Sequence, residues 1–530
     1  MPEPTNDRSR LVVKKVTPYL ILLCIVFISL YFTKPMTLQI KWFDETLYYT
    51  VAQNIRNNFD FNSHHYISSS IISKGYPTKD THLPGYPLIL SLGFLLGGIN
   101  EKTPFFVNYC LLTITVILTY RLGKRLANHW VGIGGVIVYL LYPLTLMSAQ
   151  SIMSETSAAT ITLIIVTICL FNKEGFTKGL FLSLALGMAY LIKPFLLAFM
   201  PITATWVLIS KRPDNQKTLL GLLSCFVLLF IVVLYPLSQN REIYPYTPTE
   251  VLSSPGLLAK IHLIIGNFKK NIIKILRLDW KSGEGMTTLS MLLLCLGSLF
   301  NYFTGKYPDT DNSQNQKKQL YSGLVFINFN TLIIVLVAIL IIYDYVFWRG
   351  SRALYFISPL LSLLFVIGLY QWIVRANKGI KSWQTWSAII IGLVSCIFLY
   401  NSSTVTWQQL RLSQHKQYSY MSIRNERLKK VVDQYQLKPQ AVISQGNFYF
   451  AIDDYPVRVI WKLPVSLSQL AAIEKRVTVD LIELKEADAL FQENQRKYGG
   501  IEKLGDHYKL IHREAGFYYY KIIQDDDHAI

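Results

Sequence analysis

Two adjacent carboxylates, Asp44 and Glu45, lie early in the chain and have side chains suited to catalysis. They follow Trp42 and Phe43, shortly after the first apolar segment. A carboxylate can act as a general base on a hydroxyl group, and charged groups beside a membrane segment are costly enough that they usually have a function. The competing interpretation is a helix cap, because acidic residues are common in the first turn of a helix.

The residues that follow predict the element that positions this acid. Leu47, Val51 and Ile55 recur every four positions after Phe43, which is the spacing of an amphipathic helix. A helix of this kind lies along a membrane surface with its apolar side towards the lipid. Asp44 is expected to open the helix at the boundary between water and lipid.

Composition indicates a membrane protein. Of the 530 residues, 51% are hydrophobic, and they occur in blocks long enough to cross a bilayer. The formal net charge is +19, but the basic residues lie largely in short loops between the blocks, so membrane topology explains them better than nucleic-acid binding. The six cysteines all lie inside apolar blocks. No disulfide framework, metal-ligand spacing or cofactor motif is visible.

The pattern of basic loops predicts about eleven membrane spans. The first is a retained anchor over residues 16–32, with its basic N-terminal end in the cytoplasm. The later apolar blocks are 105–120, 131–150, 156–171, 178–192, 195–210, 217–236, 286–304, 320–343, 353–373 and 385–402. The short basic loops fall on every second side of the membrane, as the positive-inside rule requires, only if segment 85–99 does not cross the bilayer. This segment is therefore expected to be juxtamembrane or re-entrant.

Two domains are predicted. Residues 1–403 form the membrane domain, with outer loops at 34–104 and 237–285. Residues 404–530 form a small soluble α/β domain on the outer side. Within it, residues 441–444 and 457–461 read as strands, 466–475 and 486–498 as helices, and 508–512 with 516–523 as a closing hairpin.

This topology collects one pair of acids and several cations on the outer side. The cations are Lys74, Lys79, Lys193, Arg241, Arg349 and Arg352, and His82 and Glu155 join them. Arginine and lysine can hold a phosphate and stabilise its charge as it leaves. The set therefore suits transfer of a group from a lipid phosphate. Competing interpretations are snorkelling for the arginines, a helix cap for Glu155 and a plain interfacial role for Lys193.

Six short elements in chain order resemble those of the membrane glycosyltransferases of the GT-C fold. They are similar to the group that includes the protein O-mannosyltransferases and the lipid A aminoarabinose transferases. The elements are Asp44-Glu45-Thr46-Leu47-Tyr48, Leu83-Pro84-Gly85-Tyr86-Pro87-Leu88, Met153-Ser154-Glu155, Tyr190-Leu191-Ile192-Lys193-Pro194, Pro236-Leu237-Ser238-Gln239-Asn240-Arg241 and Arg352-Ala353-Leu354-Tyr355-Phe356-Ile357-Ser358-Pro359. The family often has a lysine just before the paired prolines, where this chain has His82.

The resemblance implies an α-helical polytopic membrane protein with a GT-C-like fold and an inverting transfer reaction. Asp44 corresponds to the catalytic base, and the expected substrate-binding residues are Glu45, His82, Glu155, Lys193, Arg241, Arg352 and Tyr355. The donor would be a polyprenyl-phosphate sugar, and the acceptor a lipid, a glycan or a protein. The expected location is the outer face of the bacterial inner membrane. The scheme requires no metal ion.

Two other functions compete with this one. A transporter or lipid flippase would show sequence repeats and broken helices near the middle of the bilayer, whereas no repeat is visible and the ionisable residues gather at one face. A structural or assembly subunit would leave the surroundings of Asp44 without a cavity.

Overall fold

The structure is a computed structural model that describes part of the 530-residue chain. The described residues are 18–20, 22–27, 43–61, 66–68, 83–100, 102–171, 175–210, 214–231, 256, 258–259, 261–263, 265–266, 321–327, 329–331, 355–377, 397, 400–401, 404, 427–437, 441–444, 458–462, 464, 466–475, 478–514 and 516–523.

Helices dominate the first part of the chain and strands the last. The helices are α1 (Phe43–Asn58), α2 (Gly85–Gly97), α3 (Thr103–Leu126), α4 (His129–Leu141), α5 (Pro143–Ala149), α6 (Glu155–Phe171), α7 (Phe176–Ile192), α8 (Phe199–Ile209), α9 (Asn215–Leu229), α10 (Ser358–Asn377), α11 (Leu467–Glu474) and α12 (Ala489–Tyr498). The strands are β1 (Tyr66–Ser68), β2 (Ala441–Ile443), β3 (Arg458–Lys462), β4 (Leu481–Lys485), β5 (Lys503–Leu504), β6 (Tyr508–Glu514) and β7 (Phe517–Ile522). Short 3₁₀ helices precede α8 at Pro194–Ala198 and α10 at Tyr355–Ile357.

Two compact units divide these elements. One contains the described residues within 1–38, 105–239 and 244–412, and the other those within 39–104, 240–243 and 413–530. Among the described residues, α3 is the one helix long and apolar enough to cross a membrane by itself, and several shorter apolar helices accompany it. The predicted number of eleven spans stays a prediction.

Glycines let the apolar helices of the first unit approach each other closely. A Cβ atom added at Gly179 of α7 would lie 2.2 Å from the Thr218 carbonyl oxygen of α9. In return, a Cβ atom at Gly221 of α9 would lie 2.5 Å from the Phe176 carbonyl oxygen. Small residues at such crossings are typical of helix packing in membranes, because van der Waals contact is the main attraction available there.

In the second unit, α1 packs against α2. The predicted apolar positions Leu47, Val51 and Ile55 are all buried. Two aromatic contacts join the helices, with ring centroids 5.0 Å apart for Tyr48 and Tyr86 and 5.3 Å for Tyr49 and Phe94. The helix predicted from Phe43 onward is therefore present, and its apolar side is buried in protein.

A seven-stranded sheet forms the core of the C-terminal part, in the order β1-β3-β2-β4-β7-β6-β5. β1, β3, β2 and β4 are parallel, and β7, β6 and β5 are antiparallel. The edge strand β1 comes from the first loop, and its Tyr66 pairs with Ile460 of β3. The sheet thus includes a strand from outside residues 404–530.

Both faces of the sheet are covered by helices. Residues of α11 and α12 pack with Ile443, Ile482 and Tyr520 on one face. Residues of a helix at 427–434 pack with Val442, Leu481 and Tyr519 on the other. Successive strand residues alternate between these two clusters, as the pleat of a strand requires.

Candidate active site

The predicted base lies where the sequence analysis expected it, at the start of a helix. Asp44 is the second residue of α1; its side chain lies outside the described part of the structure. The next residue, Glu45, is completely buried within the first turn. A carboxylate in the first turn of a helix interacts favourably with the helix dipole.

The other compact unit contains a largely buried ion pair between Glu155 and Lys193. The Lys193 Nζ atom donates a hydrogen bond of 3.0 Å to Glu155 Oε1. The Glu155 side chain is 3% exposed and the Lys193 side chain 17%. Burial of such a pair is unfavourable unless its charges are well matched, so its geometry is tightly specified.

The local sequence explains how each partner reaches the pair. Glu155 is the first residue of α6, where Ser154 accepts a backbone hydrogen bond from Ala158. Lys193 follows the end of α7 in an extended conformation, with φ of −149°, and Pro194 then begins a 3₁₀ helix. A proline disfavours the α conformation in the residue before it. Pro194 therefore ends α7 and helps to set the backbone of Lys193.

Tyr355 lies among aromatic residues in the same unit. Its hydroxyl is 2.8 Å from the hydroxyl of Tyr139, and its ring stacks on Tyr142 with centroids 6.2 Å apart. All three tyrosines are completely buried. The hydrogen bond and the stacked ring together hold the Tyr355 side chain in one position.

The structure brings three of the predicted site residues into one region. The 3₁₀ helix that begins at Tyr355 contacts α6, and the Glu155 carboxylate is close enough for a coulombic interaction with the Tyr355 hydroxyl. Lys193 reaches the same carboxylate. Of the remaining predicted residues, Asp44 and Glu45 belong to α1. His82, Arg241 and Arg352 lie outside the described residues.

Sequence reasoning missed Tyr139 and Tyr142. They lie at the end of α4, where Tyr142 precedes Pro143 and the chain turns into α5. A Tyr-x-x-Tyr-Pro sequence at the end of an apolar block was the available signal. It places two polar rings at a break between two apolar helices. In membrane proteins a helix break at membrane depth is tolerated where it is buried in protein or lines a cavity.

No group of three or more His, Cys, Asp or Glu side chains in the described ranges is arranged to hold a metal ion. One of the ion pairs in those ranges joins Lys193 to Glu155 and is largely buried. An ammonium group held in place in this way can stabilise an anion.

The chain is similar to known glycosyltransferases in sequence over one region. Residues 81–236 match the sequence profile of the dolichyl-phosphate-mannose-protein mannosyltransferase family. This range contains both members of the ion pair, Glu155 and Lys193. No curated protein sequence matches the chain at a significant level.

Solved structures show a wider likeness in fold. ArnT from Cupriavidus metallidurans, solved with undecaprenyl phosphate, aligns with a TM-score of 0.55 and 10% identity over 96% of this chain and 99% of its own. The oligosaccharyltransferase of Archaeoglobus fulgidus, tethered to an acceptor peptide, aligns with a TM-score of 0.52 and 12% identity over 97% of this chain and 75% of its own. Both are GT-C glycosyltransferases.

These likenesses confirm the resemblance expected from the six sequence elements. The chain has a GT-C membrane fold, mostly helical, with a small sheet towards its C-terminus. Since one fold can host several activities, the reaction has to be argued from the site residues.

Proposed function

We propose that this protein is an inverting glycosyltransferase that moves a sugar from a polyprenyl-phosphate donor to an acceptor hydroxyl. The observation that carries the proposal is the buried Glu155–Lys193 pair. It lies inside the region that matches a mannosyltransferase family, in a chain that shares its fold with a structure solved with undecaprenyl phosphate.

Asp44 is the proposed base. Its carboxylate removes the proton from the acceptor hydroxyl as that oxygen attacks the anomeric carbon of the sugar. The new carbon–oxygen bond forms on the face opposite the lipid phosphate, and the bond to the phosphate breaks with its electrons going to the phosphate oxygen. The configuration at the anomeric carbon is inverted. General-base catalysis of this kind contributes roughly 10²–10⁴-fold to a rate.

Lys193 is proposed to stabilise the leaving phosphate, together with Arg241 and Arg352. An ammonium group has three N–H donors, so Lys193 can hold Glu155 and also donate to a phosphate oxygen. Glu155 then has a positioning role, because it fixes the ammonium at 3.0 Å. Since the paired charges largely cancel, the arginines supply most of the net attraction for the donor. Glu45, His82 and Tyr355 complete the proposed substrate-binding set.

The proposed location is the outer face of a bacterial inner membrane. The N-terminus would be cytoplasmic, and residues 404–530 would form an extracytoplasmic domain beside the membrane domain of residues 1–403. The lipid tail of the donor would stay in the bilayer while its phosphate reaches the outer loops. The alternation of basic loops supports this orientation.

The test is transfer of a labelled sugar from polyprenyl-phosphate donors to lipid, glycan and protein acceptors by the purified full-length protein. Asp44→Asn is expected to lower kcat about 100-fold or more. Asp214→Asn is the matched control, since Asp214 is a half-exposed acid that pairs with Lys217, and it should leave the rate unchanged. Equal transfer by wild type and Asp44→Asn would exclude Asp44 as the base.

A further inference from the structure

Three lysines lie side by side on the sheet of the C-terminal part. The register of the strands pairs Lys503 of β5 with Lys509 of β6, and Lys509 in turn with Lys521 of β7. Residues directly opposite each other on neighbouring strands share a face of the sheet, with Cβ atoms about 4.5–5.5 Å apart. The three side chains therefore leave the same face as a row across three strands, which we call the lysine row.

The lysine row is unfavourable by itself, because like charges directly opposite each other destabilise a sheet. Lys503 and Lys509 are exposed, and Lys521 is half-buried. Within the described part of the chain, no acidic side chain forms an ion pair with any of the three. An anionic partner would relieve the repulsion between these charges.

Neither the charge of the domain nor the protection of a sheet edge explains the row. Residues 404–530 contain 18 Lys and Arg against 16 Asp and Glu, so the region is not generally basic. Lysines on edge strands prevent pairing with other chains, which accounts for Lys503 on the edge strand β5. β7, in contrast, has β4 and β6 on either side, so Lys521 protects no edge.

An exposed aromatic ring lies on the same face. Tyr435 is 38% exposed, its hydroxyl donates to the Ile511 carbonyl of β6, and its ring contacts that of His512 with centroids 6.2 Å apart. His512 is opposite Tyr519 in the sheet, and Tyr519 lies two residues before Lys521, which places it on the face of the lysine row. A tyrosine held in this way offers an apolar ring surface with a polar tip.

We propose that the lysine row and Tyr435 form a binding surface for an acidic glycan, a saccharide chain that carries carboxylate or phosphate groups. The ammonium groups bind the anionic groups, and the ring stacks on the apolar C–H face of a sugar. A lipid surface fits less well, because surfaces that bind membranes combine cations with exposed apolar side chains that insert. Among the described residues of 427–523, the exposed large apolar side chains are two tyrosines, Tyr435 and Tyr498.

The surface lies in the compact unit that also contains α1, the helix of the candidate base Asp44. The same sheet joins the two regions, because its edge strand β1 comes from the loop that follows α1. One consequence rests on the proposed function: the bound glycan would be the acceptor, held by the lysine row at one part of its chain while the base acts on another. The surface would then lower the KM for acidic acceptors.

The surface is tested by titration calorimetry of the full-length protein in phosphatidylcholine nanodiscs. The probe is oligogalacturonate, and maltohexaose is the uncharged comparison, which should give no binding heat. Changing Lys503, Lys509 and Lys521 together to Gln should weaken binding of oligogalacturonate about tenfold, since three exposed charge pairs are lost. Added salt should weaken binding to the wild type in the same direction. The triple variant should unfold no earlier than wild type, because the repulsion within the row is removed.

A second triple variant is the matched control. It makes the same change in net charge at exposed positions of α12 and at the end of α11, the helices that pack on the opposite face of the sheet. The substitutions are Lys475→Gln, Arg496→Gln and Lys497→Gln. This variant should bind oligogalacturonate within about twofold of wild type.

Four results would overturn the proposal. The first is equal affinity of the lysine-row variant and wild type, and the second is an equal loss in the control variant. Glycan binding that disappears when phosphatidylglycerol replaces phosphatidylcholine would assign the row to lipid headgroups. Binding that becomes several-fold tighter after Asp525, Asp526 and Asp527 are changed to Asn would assign it to the acidic end of the chain. Calorimetry does not depend on transfer, so an inactive protein that binds through the row would refute the proposed function and leave the surface in place.

Discussion

Replacing Lys193 with methionine should destabilise the protein far more than removing a lysine from the surface. The ammonium lies 3.0 Å from Glu155, whose side chain is 3% exposed. With an effective dielectric constant of about 20, two unit charges at that distance attract by ~5.5 kcal/mol. Removing one partner of a buried pair costs about 3–5 kcal/mol. We therefore expect Lys193→Met to lower the free energy of unfolding by roughly 3 kcal/mol or more.

Two further variants separate a structural role from a catalytic one. Lys217→Met is the matched control, because Lys217 pairs with Asp214 at 2.7 Å but the two side chains are 70% and 48% exposed, where water screens the attraction. The double variant Glu155→Gln/Lys193→Met removes both buried charges. It should regain most of the stability lost in Lys193→Met, because no buried charge is left unmatched.

The assays are unfolding of the purified protein in detergent and sugar transfer at saturating donor. If Lys193 stabilises the leaving phosphate, the double variant stays at least ~100-fold slower than wild type although it is stable. A double variant that recovers both stability and rate would show that the pair only supports the fold. Equal destabilisation by Lys193→Met and Lys217→Met would refute the reasoning from burial.

Three other changes have defined outcomes. Gly179→Ala should cost about 1–3 kcal/mol in unfolding free energy, because its Cβ would lie 2.2 Å from a backbone oxygen of α9. Tyr139→Phe should cost about 1 kcal/mol, since it removes the hydroxyl bonded to Tyr355. The hydrogen bond with His512 holds the pKa of the Glu514 carboxyl below its ordinary value of 4.5. The contribution of this ionised carboxyl to stability is therefore present above pH 4.5 and is lost as the pH falls through the lowered pKa. Glu514→Gln should slightly reduce the loss of unfolding free energy on acidification.

The same unfolding measurements check these three outcomes. Gly500→Ala is the control for Gly179, since an added Cβ there meets no atom within 4 Å; equal effects would argue against a close crossing of α7 and α9. A Tyr139→Phe variant as stable as wild type would mean that the paired hydroxyl contributes nothing. A Glu514→Gln variant whose thermal midpoint between pH 3 and 6 follows that of wild type would refute the assigned cause.

Two residues of the candidate site were predicted from the local sequence because they lie beside helix breaks. Glu155 opens α6, and Lys193 lies between the end of α7 and Pro194. A charge beside a break in an apolar block is visible in the sequence. The bond between Tyr139 and Tyr355 spans 216 positions, and nothing in either local sequence selects the other ring. Such pairing depends on how the helices pack, and helix packing is not encoded in the periodicity of either helix.

The C-terminal fold was predicted where strands and helices followed a simple pattern. The expected strands at 441–444 and 457–461 correspond to β2 and β3, and the expected hairpin to β6 and β7. β4 was missed because Glu483 interrupts its apolar run. In the structure this carboxylate is completely buried and accepts a hydrogen bond from the Ser444 hydroxyl. A buried carboxylate whose hydrogen-bond partner follows a different strand cannot be recognised from the sequence of its own strand.

The sheet can be completed at its β1 edge only after most of the chain has been synthesised, because β1 pairs with the much later strand β3. β1 lies about 390 residues before β3, the strand it pairs with. At a translation rate of roughly 5–20 residues per second, β1 must wait about 20–80 s for that partner to emerge from the ribosome. Until the two meet, β1 has no neighbouring strand with which to form backbone hydrogen bonds. Once paired, it covers an edge of β3 that would otherwise be open to pairing with another chain. The strand of the first loop therefore joins the sheet late in folding, and it then protects the edge of β3 from pairing with another chain.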